Sequence, residues 1–190
     1  MKTAPDSRPA VTPTRDRVRE LRTVFLVGFM GAGKTSVGRA LSRRLGLPFQ
    51  DLDDRIQDRE GKTIAQIFRE SGEAGFRKAE TAALRELLTE LSSSSRVVAL
   101  GGGAFVQAVN AELIQESRVH SVFLDAPVKE LLRRCEEEQK ERPLRQNPKQ
   151  FRELYAKRRP SYLKAAVRID TNGKDVDAVA AEVACSLGLE

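Results

Sequence analysis

The octapeptide GFMGAGKT, at residues 28–35, constrains the fold of this chain more than any other feature of its sequence. It matches the spacing G-x-x-x-x-G-K-[ST], follows the apolar run VFLV and precedes the helix-like periodic segment SVGRALSRRL. In this context the glycines let backbone N–H groups surround phosphate oxygens, and the helix N-terminus adds positive potential. Lys34 can reach the outer phosphates and Thr35 can offer its hydroxyl to Mg²⁺. The motif therefore predicts a nucleotide-binding site in an α/β fold.

Short apolar segments alternate with helix-like segments along the chain. The predicted strands are VFLV, a segment from Pro48 that ends at DLDD, RVVAL, HSVFLD and VRIDT. Parallel neighbours need crossover connections, so this alternation predicts a parallel sheet with helices on both faces. Ligands in such folds bind beyond the carboxyl ends of the strands, which is where the glycine and acidic motifs fall.

Two segments stand apart from this alternation. Residues 1–22 carry three prolines among polar residues, which predicts a flexible N-terminal extension. Residues 140–150 are polar, contain two prolines and lack apolar anchors, which predicts a mobile loop. Residues 23–190 are expected to form one domain, because a chain of this size with 40% hydrophobic residues can bury a core.

The charge balance favours an anionic small-molecule partner. The chain carries 33 Lys and Arg against 27 Asp and Glu, a formal charge of +6. It has no tryptophan and two tyrosines, and acids interrupt its basic runs, so nucleic-acid binding is not indicated. No apolar stretch approaches the roughly 18 residues that span a bilayer and no secretory signal is evident, so we expect a cytoplasmic protein without a membrane partner. With no obvious interface motif, we also expect a monomer.

The acidic run DLDD follows the second predicted strand. Asp51 and Asp53 are two residues apart and would point the same way if strand geometry persisted. A carboxylate there could hold Mg²⁺ or orient a substrate hydroxyl. Acidic residues at the end of a strand also serve as helix N-caps, and the pattern alone leaves both interpretations open.

Three further motifs carry residues suited to an anionic substrate. Arg77 and Glu80, in GEAGFRKAE, share one helix face and could form an ordinary ion pair. The triplet at residues 101–103 is either a plain turn or a place where backbone must approach a ligand closely. Single arginines are usually solvated, yet phosphoryl transfer needs cations to balance charge. The candidates are Arg134, Arg142, Arg145, Arg158 and Arg159.

Taken in their order along the chain, these motifs resemble those of the shikimate kinase family, in the nucleoside monophosphate kinase branch of P-loop proteins. The resemblance runs from about residue 23 to the C-terminus and includes R-P-L at residues 142–144 and K-R-x-x-x-Y at residues 157–162. It implies a three-layer α/β P-loop fold with a five-stranded parallel sheet of order 2-3-1-4-5, a helical substrate-binding region and a mobile lid at about residues 140–150. It further implies ATP-dependent phosphorylation of the 3-hydroxyl of shikimate, giving shikimate 3-phosphate and ADP in aromatic amino acid biosynthesis.

The resemblance also implies a role for each matching residue. The implied catalytic residues are Lys34, Asp53 and Arg142. The implied shikimate-binding residues are Asp53, Arg77, Gly101, Gly102, Gly103 and Arg158. The implied nucleotide-binding residues are Gly31, Ala32, Gly33, Lys34, Thr35, Ser36, Arg134 and Arg142. Thr35 would ligate Mg²⁺ directly and Asp51 through water.

The chain departs from the family pattern in two places. The lid reads R-P-L-R, so Arg145 adds a positive charge where the family often has leucine, and Ala99 stands where a strand aspartate for Mg²⁺ is found in other P-loop proteins. Two other functions remain open: a related small-metabolite kinase, such as a gluconate kinase, and a non-catalytic nucleotide-dependent regulatory module. The cations and carboxylate of the predicted acceptor site favour the kinase that acts on a cyclic hydroxy acid.

Overall fold

The computed structural model describes residues 23–91, 94–117, 119–137 and 147–189. The predicted N-terminal extension lies outside these ranges. Arg142 and Arg145 of the predicted lid also lie outside them. The strands are β1 Val24–Val27, β2 Phe49–Asp51, β3 Val97–Ala99, β4 His120–Asp125 and β5 Val167–Asp170. The helices are α1 Lys34–Leu45, α2 Leu52–Glu60, α3 Ile64–Glu90, α4 Ala108–Glu116, α5 Val128–Glu137, α6 Pro148–Tyr162 and α7 Val176–Ser186, with a 3-10 turn at Ala104–Val106.

The strands form one parallel sheet. Their order is β2-β3-β1-β4-β5, and Val24 of β1 pairs with Val97 of β3 on one side and His120 of β4 on the other. The predicted order 2-3-1-4-5 is therefore confirmed. β2 and β3 lie on one side of β1, and β4 and β5 lie on the other, so the strand order reverses at β1. In such sheets, ligands bind in the crevice beyond the carboxyl ends of the strands at this point.

The core covers the sheet on both faces. Each residue of β1 is buried, as expected for a strand between two helical layers. α1 packs on α7, and α3 packs on α2 and α4. The largest fully buried side chains include Phe25, Phe29, Phe105, Phe123, Phe151 and Tyr162. None of the helices in the described part of the chain is long and apolar enough to cross a membrane.

The sequence predicts helical segments on either side of Gly72, and α3 is broken at that residue. α3 begins after Thr63, whose side chain and that of Gln66 form a capping box. Gly72 interrupts it with φ 64° and ψ −173°, a left-handed conformation that glycine adopts without steric cost. The helix thus consists of two segments, and the second carries Arg77 and Glu80.

Three sequence expectations need correction. The predicted loop at residues 140–150 runs too far, because Asn147 caps α6 by accepting a 3.1 Å hydrogen bond from the Gln150 N–H, so residues 148–150 are helical. The sequence predicts Pro127 as the first residue of a helix, but Pro127 precedes α5, and its carbonyl accepts from Glu130 N–H at 2.9 Å. The helix α4 was not predicted at all.

Candidate active site

The phosphate loop lies between β1 and α1. Gly33 adopts φ 85° at the start of α1, a left-handed conformation that permits the tight turn into the helix. The ammonium of Lys34 donates to the carbonyl oxygens of Gly28 and Phe29, each at 2.9 Å. The side chain of Lys34 therefore folds back over the start of the loop, and the backbone N–H groups at the start of α1 add positive potential. This arrangement is suited to an anion.

Asp51 joins the phosphate loop to the next element. The hydroxyl of Thr35 donates to Asp51 Oδ2 at 3.0 Å, and Asp51 Oδ1 accepts from Asp53 N–H at 3.1 Å. Asp51 is thus the N-cap of α2, as one interpretation of the acidic run predicts, and its second carboxylate oxygen faces the phosphate loop. Strand geometry ends at Asp51 because the helix begins at Leu52, so the condition under which Asp51 and Asp53 would point the same way is not met.

The helix start turns Asp53 toward the glycine triplet. A Cβ atom on Gly101 would lie 2.6 Å from Asp53 Oδ1, a distance that real Cβ contacts do not show. A Cβ atom on Gly103 would lie 2.5 Å from both terminal nitrogens of Arg77. The absence of side chains at these positions lets backbone approach the carboxylate and the guanidinium. The triplet is therefore more than a turn.

Arg77 is held by a buried carboxylate. It donates to Glu80 Oε2 at 2.8 Å, and the same oxygen accepts from Gln107 Nε2 at 2.6 Å. The Glu80 side chain is 1% exposed, and burial raises the pKa of its carboxyl, aided by the charge of Asp53 and opposed by Arg77. Glu80 Oε1 has no hydrogen-bond partner among the described residues. The predicted ion pair between Arg77 and Glu80 exists, but its carboxylate is buried in the protein interior.

Arg158 completes this side of the site. It lies on α6 and donates to the Gly102 carbonyl at 3.4 Å, and the hydroxyl of Tyr162 donates to the same oxygen. The triplet thus gathers two guanidinium groups and the Asp53 carboxylate at the carboxyl end of β3.

Arg134 lies on the opposite side of the crevice, on α5. Its terminal nitrogens donate to Thr171 Oγ1 at 3.0 Å and to the Thr171 carbonyl at 2.7 Å, and its Nε donates to Glu130. These bonds fix the guanidinium where β5 ends.

Sequence reasoning missed two polar residues that order the site. Gln107 belongs to no motif, and its contact with Glu80 could not be found without the fold. Asp125 is buried at the end of β4. Its signal was visible, since an acidic residue directly follows the apolar run SVFL, at a position where parallel sheets bind ligands.

Comparison with known proteins decides the family. The family model of shikimate kinase matches residues 30–187. The chain belongs to the shikimate kinase family. The shikimate kinase of Aquifex aeolicus is 40% identical over 165 residues, which is 86% of this chain and 95% of that protein.

Solved structures agree with this membership. A shikimate kinase from Acinetobacter baumannii in complex with shikimate aligns with TM-score 0.79 and 41% identity, over 89% of this chain and 94% of that one. A gluconokinase from Sinorhizobium meliloti aligns with TM-score 0.57 at 18% identity, over 88% of this chain and 95% of that one. The second similarity shows a shared fold alone. Sequence and structure comparisons thus place this shikimate kinase family member in the same family.

Proposed function

We propose that this chain transfers the γ-phosphoryl group of ATP to the 3-hydroxyl of shikimate, giving shikimate 3-phosphate and ADP. One observation carries the proposal: the glycine triplet lies between the phosphate loop and the arginines. A Cβ atom on Gly102 would lie 3.7 Å from the Gly28 carbonyl oxygen and 3.9 Å from the Arg158 guanidinium. An acceptor held by the triplet is therefore adjacent to the phosphates held by the loop.

The acceptor side suits a compact hydroxy acid. Arg77 and Arg158 offer planar guanidinium forks that match a carboxylate, and Asp53 offers acceptor oxygens for hydroxyl groups. The backbone of residues 101–103 can contact the ring because two of its glycines already lie against Asp53 and Arg77. Shikimate carries one carboxylate and several hydroxyls, so each of these groups has a partner.

The nucleotide side comprises the phosphate loop and Arg134. Residues 31–36 would surround the phosphates, with Lys34 moving from its loop carbonyls to the outer phosphates. Arg134, fixed by Thr171, would contact the adenine. Arg142 would approach from the lid, which lies outside the described residues, and add positive charge beside the transferring group.

The donor set at the loop fits Mg²⁺. Thr35 Oγ1 and Asp51 Oδ2 lie 3.0 Å apart, and both are the hard oxygen donors that Mg²⁺ prefers. Mg²⁺ usually keeps several waters and is bound through one or two carboxylates together with substrate phosphates. No cluster of three or more His, Cys, Asp or Glu residues suited to a metal occurs within the described ranges. When bound, Mg²⁺ would neutralise charge on the phosphates, with Thr35 as a direct ligand and Asp51 acting through water.

Catalysis would come mainly from alignment and charge stabilisation. Lys34 and Arg142 would balance charge on the γ-phosphoryl group, and Asp53 would orient the attacking hydroxyl and accept its proton. Because phosphoryl transfer proceeds through a loose transition state, Asp53 need not be a strong base. We also propose that the enzyme is cytoplasmic. We propose that it acts as a monomer, since both sides of the site come from one chain.

The deciding experiment measures ADP release with ATP and Mg²⁺ in the presence of shikimate, gluconate, quinate or no acceptor. Stimulation by shikimate alone is expected. Stimulation by gluconate would favour the related metabolite kinase, and ATP binding without turnover would favour the regulatory module. Asp53→Asn and Arg77→Ala should each cripple turnover while ATP affinity stays nearly constant, because both residues serve the acceptor.

A further inference from the structure

Asp125 carries a buried carboxylate that the reaction chemistry above does not use. It ends β4, and its side chain is 4% exposed. Its Oδ1 accepts from the Tyr155 hydroxyl at 2.9 Å, and its Oδ2 accepts from Arg159 at 2.7 Å and from Arg168 Nε at 3.0 Å. A buried charge persists when such partners compensate its desolvation.

The donors to Asp125 come from two different elements. Tyr155 and Arg159 lie one turn apart on α6, and Arg159 Nε also donates to the Tyr155 hydroxyl at 3.1 Å. Arg168 lies on β5, the neighbouring strand. Asp125 therefore attaches α6 to the carboxyl edge of the sheet, while its bond to Arg168 stays within the sheet.

The same helix carries the acceptor residues of the proposed site. Arg158 directly precedes Arg159, and the hydroxyl of Tyr162 bonds to Gly102 at the end of α6. Near its start, Phe151 and Tyr155 pack edge-on against Phe29 of the phosphate loop, with ring centroids 5.0 and 5.5 Å apart. Rotation of the later turns of α6 would displace Arg158 from the triplet, while the packing on Phe29 lies near the start of the helix.

Helical geometry links the two adjacent arginines. Consecutive residues point about 100° apart around a helix axis, so fixing the direction of one fixes the direction of the other. With Arg159 bound to the sheet at Asp125, Arg158 faces the glycine triplet.

We propose that Asp125 and Arg159 form a positioning pair that sets the rotation of α6 and thereby aims Arg158 at the acceptor carboxylate. This inference rests on the proposed function, because it takes Arg158 to bind the acceptor. The contacts that the structure shows for Arg159 are with Asp125 and Tyr155, so its role here is to position the helix.

The test compares Arg159→Gln with Arg168→Gln in the full-length protein. Both substitutions remove a guanidinium from the same oxygen of Asp125, but only the first removes a bond from α6, which then keeps the Tyr155 hydroxyl as its contact with this carboxylate. We expect Arg159→Gln to raise the KM for shikimate by about fivefold or more, because small misplacements of binding groups are costly, with the KM for ATP within about twofold of wild type. Arg168→Gln should leave both constants near wild type. Equal changes in the two variants, or no change in either, would overturn the proposal.

Arg159→Lys provides a second variant that keeps the charge. Lysine can reach Asp125 with one donor but cannot also hold Tyr155 with the planar fork, so the KM for shikimate should fall between those of wild type and Arg159→Gln. A lysine variant as weak as the glutamine variant would argue that the bond to Asp125 is not what positions the helix.

Hydrogen–deuterium exchange gives a readout that does not depend on the acceptor. Peptides that cover α6 should exchange faster in Arg159→Gln than in Arg168→Gln, at a temperature where both variants remain folded. Absence of shikimate turnover in wild type would refute the proposed function, and the exchange of α6 would still decide the positioning role. Equal exchange in the two variants would refute that role even if wild type phosphorylates shikimate.

Discussion

The carboxylate of Glu80 is buried and lies 2.8 Å from the guanidinium of Arg77. On the same helix, Arg77 also contacts Glu73 at 3.3 Å, and the side chain of Glu73 is 70% exposed against 1% for Glu80. Arg77 thus has one buried and one solvated acidic partner. This pair allows the effect of burial to be measured with the second partner as its control.

Glu80→Gln should change how stability depends on pH. Burial raises the pKa of the Glu80 carboxyl above its ordinary 4.5, so the folded state holds this proton more tightly than the unfolded state. The stability that this group contributes is fully present below pH 4.5 and is lost as the pH rises through its raised pKa. The free energy of unfolding of Glu80→Gln, relative to wild type, should therefore increase across that range.

Urea unfolding at a series of pH values measures this difference. Glu73→Gln removes a carboxylate from the same arginine but from an exposed position, so its difference from wild type should not follow this trend. Parallel curves for the two variants would contradict the role of burial.

Gly103→Ala should weaken acceptor binding. The added methyl would lie 2.5 Å from the terminal nitrogens of Arg77, and the flexible side chain would move to relieve the clash. Gly102→Ala is the comparison within the triplet: its methyl would come no closer than 3.7 Å to its neighbours, so it adds a methyl beside the proposed acceptor without displacing Arg77. We expect Gly103→Ala to raise the shikimate Kd by about tenfold, the loss of roughly one charged hydrogen bond, with the ADP Kd unchanged in calorimetry. Equal weakening by both alanines would point to the backbone of the triplet instead.

The sequence predicts much of this molecule because its strongest signals are local. The phosphate loop follows from its own eight residues, the break at Gly72 from one glycine, and the strand order from the family resemblance. The hydrogen bond between Thr35 and Asp51 depends on where β2 ends and α2 begins. Asp51 ends the strand and caps the helix, and the acidic run alone does not fix this boundary. The contacts of Glu80 with Gln107 and of Asp125 with Arg159 join distant segments. Periodicity carries no information about such contacts.

Asp51→Asn should raise the Mg²⁺ concentration that the kinase requires. Asparagine is as good an N-cap as aspartate, so α2 should remain intact while the charge beside Thr35 is lost. The Mg²⁺ concentration for half-maximal activity should rise by about tenfold, as for other losses near a metal. Asp54→Asn removes a negative charge from the same helical turn at an exposed position and should leave the Mg²⁺ requirement unchanged. A similar shift in both variants would indicate a general effect of charge.

Both tyrosines should resist ionisation in the folded protein. Burial raises the pKa of Tyr162 to about 12, and burial together with the Asp125 carboxylate raises the pKa of Tyr155. Because the sequence holds these two tyrosines and no tryptophan, tyrosinate absorbance reports on them directly. The stability from Tyr162 should be fully present below pH 10.0 and lost as the pH rises through about 12.

An alkaline titration of native and denatured protein tests this expectation. In guanidinium chloride both phenols should ionise near pH 10, whereas the native protein should show little tyrosinate at that pH. Tyr162→Phe should remove the step near pH 12 and, by releasing the Gly102 carbonyl from its hydroxyl donor, lower the free energy of unfolding by about 1 kcal/mol. Native absorbance that already rises at pH 10 in a folded sample would show that the Tyr162 hydroxyl is not held in the interior against the glycine triplet.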